Sequence, residues 1–257
     1  MLPSGDAQPT SSEQWFALSI GNSRLHWAQF MGRDMQRTWD TPHLSETDVQ
    51  QLLATRFIQK PSLYIASVVP QQSQLWQEYP SAHVITLEQV PLQGLYPTLG
   101  IDRALAVWGA IATVGSPVLV IDAGTALTFT GAAGDRLVGG AILPGLGLQF
   151  HTLNQATAAL PDVGAASLAV QHLLPPRWAT NTADAIASGI LYTLLAGLQA
   201  FIDDWWQQFP ASKVMLRGGD SDRLYSYLTA HAPALARRVT VEPHLIFWGM
   251  RKVRSGE

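Results

Sequence analysis

One short pattern occurs twice in this chain, and the repetition limits its fold more than any other feature. The first copy is Ser19-Ile20-Gly21-Asn22-Ser23; the second is Asp122-Ala123-Gly124-Thr125-Ala126. Each follows an apolar, strand-prone run, Trp15 to Leu18 or Val118 to Ile121. Each precedes another such run (Leu25 to Phe30; Leu127 to Thr130), and a glycine turn at Gly32 or Gly134 then opens a third. Strand, tight turn, strand, turn, strand is the signature of an antiparallel meander. Its recurrence at an offset near 103 residues predicts two related half-molecules, not a solenoid.

That offset divides the chain into a polar leader (residues 1–13), a first lobe (14–116) and a second lobe (117–257). The leader lacks Lys, Arg and an apolar stretch, so it reads as disordered and not as a signal peptide. With 257 residues, 47% of them apolar, the chain can bury substantial cores. The nine tryptophans are expected to pack there and at interfaces. A net charge of −3 gives no footprint for nucleic acid. The lack of cysteine excludes disulfides and thiol catalysis, and fits a reducing cytoplasm. Asp102, Arg103 and Asp122 interrupt the most apolar region, so no uninterrupted run of membrane-spanning length, and no membrane partner, is expected.

Between and after the meanders the pattern alternates. In the first lobe, a helix is expected over Glu46 to Phe57, capped by Ser45 or Thr47, then strands at Ser62 to Val69 and Ala82 to Thr86. Val90 to Leu99 reads as a loop, and Asp102 to Val114 as an Ala-rich helix. In the second lobe, Leu148 to Ala159 reads as a helix, Pro161 to Ala179 as loop, and Asn181 to Trp206 as the longest helix. A strand at Lys213 to Leu216, a helix from Ser221, a strand at Val239 to Glu242 and a short basic helix complete it.

The chemistry concentrates at the turns. Backbone N–H groups and small hydroxyls in a glycine turn can hold phosphate oxygens, and a carboxylate at a strand end can hold a cation. Asp122 with Thr125 has that form; the plain alternative is an ordinary hairpin with a solvated Asp. In Gly100-Ile101-Asp102-Arg103, Asp102 either caps a helix or accepts a proton from a substrate hydroxyl, with Arg103 facing an anionic group. Gly139-Gly140-Ala141-Ile142-Leu143-Pro144-Gly145 is either a bulged strand or a close backbone approach to a ligand. Gly218-Gly219-Asp220 is a turn or an adenosine rest; Asn181-Thr182 is a helix cap or a substrate contact; His26 is structural or faces phosphate.

Taken together and in this order, with Tyr96 ahead of Gly100, these motifs resemble the type III pantothenate kinases, within the superfamily of acetate and sugar kinases, heat-shock ATPases and actin. The resemblance runs from about Ala17 to Trp248. It implies an α/β fold of two related ribonuclease H-like lobes, a duplicated actin-like ATPase fold around a central cleft. It implies ATP-dependent phosphorylation of pantothenate, the first step of coenzyme A biosynthesis, by a cytoplasmic homodimer using Mg²⁺ and a monovalent cation, K⁺ or NH₄⁺. By position, Ser19, Ile20, Gly21, Asn22, Ser23, Arg24, Leu25, His26 and Thr125 would bind ATP. Tyr96, Gly100, Ile101, Asp102, Arg103 and Thr182 would hold pantothenate, Asp102 as catalytic base. Asp122 would hold the monovalent cation.

One position departs from the pattern. Ser19 stands where the family has Asp, and a neutral hydroxyl is the weaker Mg²⁺ partner. Three outcomes remain open on sequence: Asp122 and water suffice, the kinase is weaker, or the chain is a non-catalytic ligand-binding or regulatory member of the same fold.

Overall fold

The computed structural model describes residues 13–157, 160, 161, 163 and 174–256. The leader, apart from Glu13, lies outside them, as do the end of the 148–159 helix and most of the 161–179 loop. The chain forms two compact units, residues 1–113 with 245–257 and residues 114–244.

The first unit is built on strands β1 (Gln14–Ile20), β2 (Leu25–Met31), β3 (Asp34–Thr41), β4 (Ser62–Ser67) and β5 (Ala82–Val84), in the order β3-β2-β1-β4-β5. The first three are antiparallel; β4 and β5 add in parallel. Its helices are α1 (Glu46–Thr55), α2 (Pro70–Gln74) and α3 (Ile101–Val114). Ser45 starts α1 with a capping box to Asp48, worth about 1 kcal/mol. The core gathers Phe16, Leu18, Ile20, Trp27, Leu63, Ile65 and Trp76. Trp27 stacks on Trp39 at 5.8 Å and meets Trp76 edge-on at 5.5 Å; such pairs add about 0.5–1.5 kcal/mol each beyond their burial.

The second unit repeats this plan. Strands β6 (Val118–Ala123), β7 (Ala126–Ala133), β8 (Arg136–Pro144), β9 (Lys213–Arg217) and β10 (Val239–Val241) lie in the order β10-β9-β6-β7-β8. Again three meander strands are antiparallel and two later ones parallel. Helices α4 (Leu146–Ala156), α5 (Thr182–Gln208), α6 (Ser221–His231) and α7 (Pro233–Ala236) accompany the sheet. Both sheets therefore share one topology, with β6 standing for β1 and β9 for β4.

Three findings differ from the sequence reading. The C-terminal helix α8 (Leu245–Ser255), second-lobe by chain order, belongs to the first unit. It crosses α3 so closely that a β-carbon on Gly109 would overlap Leu245 O, and one on Gly249 would overlap Leu105 O. Secondly, α5 is long and apolar enough to cross a membrane by length and composition; the residues that break other apolar runs do not fall in its central part. Its Leu191, Leu194, Leu195, Leu198 and Ile202 are buried in the second core, which accounts for the apolar composition. Thirdly, Trp178 does not join the core packing expected of the tryptophans: it is 89% exposed.

Candidate active site

The first glycine turn joins β1 to β2. Gly21 N–H donates to Arg24 O at 3.0 Å, closing the turn, and His43 Nε2 meets Gly21 O at 2.8 Å. Ile20 and Leu25 are buried in the core, so only their backbone can meet a ligand. Asn22, Ser23 and Arg24 are exposed at the tip. Ser19 is buried at the end of β1, opposite His26 on β2 and beside Ala66 on β4.

His26 is held from behind. Its Nδ1 lies 2.8 Å from Asp40 Oδ1; an ionised carboxylate can only accept, so Nδ1–H donates. The other ring nitrogen, Nε2, lies 3.9 Å from where a β-carbon of Gly21 would be. The ring thus faces the turn with one nitrogen and is fixed by the other. Sequence reasoning missed both Asp40 and His43. A β-bulge between Gln29 and Phe30 shifts the β2–β3 register, so counting residues across the hairpin would not pair His26 with Asp40.

The second group sits at the start of α3. Gly100 O accepts the first helical N–H bonds, from Arg103 at 3.1 Å and Ala104 at 3.2 Å. Asp102 Oδ1 accepts from Arg103 N–H at 2.8 Å and folds back over Gly100. A β-carbon on Gly100 would overlap that oxygen, so the carboxylate position depends on glycine there. Arg103 is buried, and its Nη1 donates to Tyr96 OH at 3.2 Å.

Val68 joins the two groups. Its N–H donates to Ile20 O at 3.1 Å, and its Cγ1 lies 3.8 Å from the β-carbon position of Gly100. The first unit therefore carries Ser19 to His26, Tyr96 and Gly100 to Arg103, with the turn and the Asp102 helix start both beside Val68.

The second unit carries Asp122, Thr125 and Thr182. Its turn is tied down by Gly124 N–H to Ala126 O at 3.1 Å, Gly145 N–H to Thr125 O at 2.9 Å, and Asp220 N–H to Ala123 O at 2.9 Å. Gly218, with φ +99°, passes so close that a β-carbon would lie 2.5 Å from Ala123 O and 2.6 Å from Asp122 Oδ1. This is the reason for a glycine at that position. Thr125 is exposed. Thr182 opens α5, whose N-cap Asn181 accepts from Asp184 N–H at 2.9 Å. Asp220 is half-buried, and its carboxyl is pushed above the ordinary value of 3.8 by desolvation, with the Arg223 charge opposing.

Asp122 is paired. Arg217 Nη1 contacts Asp122 Oδ2, and Arg217 is itself buried. The two residues are direct partners in the β6–β9 ladder. Among the described residues no three His, Cys, Asp or Glu side chains gather as a metal cage. Within the second unit, the Asp122 carboxylate that the resemblance offers to a monovalent cation already has its charge matched by the Arg217 guanidinium. That pairing does not fit a monovalent cation beside Asp122.

Comparison with known proteins adds the family. The profile of type III pantothenate kinases matches residues 15–204. A type III pantothenate kinase from Nostoc sp. (strain PCC 7120) is 53% identical, with 95% of each chain covered. One from Thermosynechococcus vestitus is 45% identical, covering 96% of this chain and 92% of that protein. Among solved structures, a putative Baf family transcriptional activator from Campylobacter jejuni matches with TM-score 0.64 at 20% identity, covering 94% of this chain and 98% of the other. An activator of 2-hydroxyisocaproyl-CoA dehydratase from Clostridium difficile, with bound ADPNP, matches with TM-score 0.53 at 9% identity over 94% of each chain. The structural likenesses show the actin-like ATPase fold; the sequence matches over most of the chain show that it belongs to the type III pantothenate kinase family.

Proposed function

We propose that this protein transfers the γ-phosphoryl group of ATP to the primary hydroxyl of pantothenate, opening coenzyme A biosynthesis. Family membership supplies the reaction. The structural observation that supports it is Val68, whose N–H donates to Ile20 O just before the Gly21 turn and whose Cγ1 lies 3.8 Å from the β-carbon position of Gly100, over which Asp102 folds.

Phosphoryl transfer needs positioning and charge neutralisation more than covalent help. The backbone of residues 19 to 25, the hydroxyl of Ser23 and the Nε2 face of His26 form the edge along which the phosphates lie. Asp102 accepts the hydrogen bond of the attacking hydroxyl and takes its proton as the oxygen–phosphorus bond forms. In the loose transition state the bond from γ-phosphorus to the bridging oxygen is already largely broken, its electron pair leaving with ADP, and the proton reaches Asp102 late in the transfer. General-base help of this kind is worth about 10²–10⁴-fold. Arg103, braced by Tyr96, faces an anionic group of the substrate; the roles of Thr182 and Thr125 are drawn from the family resemblance alone. Mg²⁺ bound with ATP would offset phosphate charge, and the Ser19 hydroxyl at the end of β1 would be its neighbour at the first turn. The monovalent cation of the resemblance has its one carboxylate occupied by Arg217, and no step is routed through it. A cytoplasmic homodimer completes the reading and is drawn from the family resemblance.

The neutral Ser19 favours one other reading, a non-catalytic member of the same fold. One assay separates the two. Purified protein with ATP, Mg²⁺ and pantothenate is expected to yield phosphopantothenate and ADP in equal amounts. Absence of product in every monovalent salt would refute the kinase reading.

A further inference from the structure

The Asp122–Arg217 pair is set by the backbone. Parallel ladder partners present their side chains on the same face of the sheet, and Asp122 is the partner of Arg217. The equivalent ladder position in the first unit is Ser19 beside Ala66. One unit thus carries two neutral residues at the strand ends below its glycine turn, and the other carries two opposite charges. Neither arrangement leaves an unmatched negative charge.

We infer that the Arg217 guanidinium is a built-in counter-charge at the second turn, occupying the place a monovalent cation would need beside Asp122, so that this chain requires neither K⁺ nor NH₄⁺. The inference rests on the proposed phosphotransfer for its activity readout, but not for its binding readout.

Three observations carry it. Arg217 is buried, with 8% of its surface exposed, and a cation that displaced it from Asp122 would leave a buried charge without its partner. Gly218 closes the other side of the carboxylate, where even a β-carbon would sit 2.6 Å from Oδ1. A potassium or ammonium ion needs several oxygen ligands, and the Asp122 carboxylate already faces a cationic competitor in Arg217. A fixed guanidinium also costs no binding step, since its position is settled when the sheet forms.

The test compares wild type, Arg217→Gln and Arg217→Lys in K⁺, NH₄⁺, Na⁺ and tetramethylammonium chloride at one ionic strength. Turnover of pantothenate by wild type is expected to vary by less than about twofold, since screening is held constant. Arg217→Gln is expected to lose at least about tenfold in tetramethylammonium, the scale of a charge-assisted contact, and to recover with K⁺. Arg217→Lys, which keeps the charge, is expected to behave as wild type. A structural role alone would not create a cation-selective rescue. The second readout needs no turnover: thallium(I) NMR, with thallium as the K⁺ probe and a non-hydrolysable ATP analogue present. Wild type is expected to leave the thallium line unchanged, and Arg217→Gln to broaden it. Wild-type turnover that requires K⁺ or NH₄⁺, or thallium binding by wild type, overturns the inference while leaving the kinase reading intact. No turnover in any salt refutes the kinase reading; the thallium result then still decides the inference. If Arg217→Gln does not fold, the wild-type profile and thallium line decide alone.

Discussion

Replacing Gly100 by alanine tests how the carboxylate of Asp102 is placed. Asp102 Oδ1 occupies the space of a β-carbon at residue 100 while accepting the Arg103 N–H at 2.8 Å. For Gly100→Ala to reach ordinary van der Waals contact, that oxygen has to retreat by about 1 Å. A displacement of that size between a base and its substrate costs about 10²-fold in rate. The backbone of Gly100 lies outside the left-handed region, so alanine adds no φ strain. Exchanging an N-cap glycine for alanine costs at most about 1 kcal/mol of stability. The variant should therefore fold, with a melting temperature within a few degrees of wild type, and bind ATP normally. Its turnover in a coupled ADP-release assay should fall by about 10²-fold. A Gly100→Ala protein with wild-type turnover would show that the carboxylate position does not limit the reaction, and would refute the reasoning.

Ser19→Asp adds a carboxylate at the end of β1, beside His26 and Ala66. The Mg²⁺ concentration for half-maximal rate should fall by about tenfold; an unchanged midpoint in a folded variant would show that Ser19 does not limit metal use. Asp220 gives a pH signature. Burial raises its carboxyl above 3.8, so the folded state favours the protonated form. Its contribution to stability is complete below that unfolded value and is lost as pH rises through the higher folded value. Relative to wild type, Asp220→Asn should gain melting temperature as the pH rises above about 4. A difference that stays flat, or moves the other way, would contradict the assigned burial cost.

Much of this architecture was legible because short motifs have strong local causes. Both meanders follow from apolar runs broken by Gly21, Gly32, Gly124 and Gly134, and the repeat offset gave the matching sheet orders. Helix α1 was placed by the Ser45 cap. The short helices α2 and α7 went unread, although each begins with a proline at its first turn, a start signal too weak to act on without the tertiary packing. The docking of α8 on the first unit depends on Gly109 meeting Gly249, residues 140 positions apart, which no local pattern reveals. At the candidate site, Gly100 to Arg103 was legible as a helix start, while the role proposed for Asp102 came from the family resemblance. The Asp40–His26 pair was hidden by a bulge, and the Asp122–Arg217 pair by the parallel register of two strands separated by a long crossover.

The central claim is that the carboxylate of Asp102, at the start of α3, removes the proton during phosphoryl transfer. Single-turnover kinetics on Asp102→Asn, with ATP binding measured in parallel, test it most directly. The account predicts intact ATP affinity and a chemical step slower by at least about 10²-fold. A chemical step at the wild-type rate would contradict it.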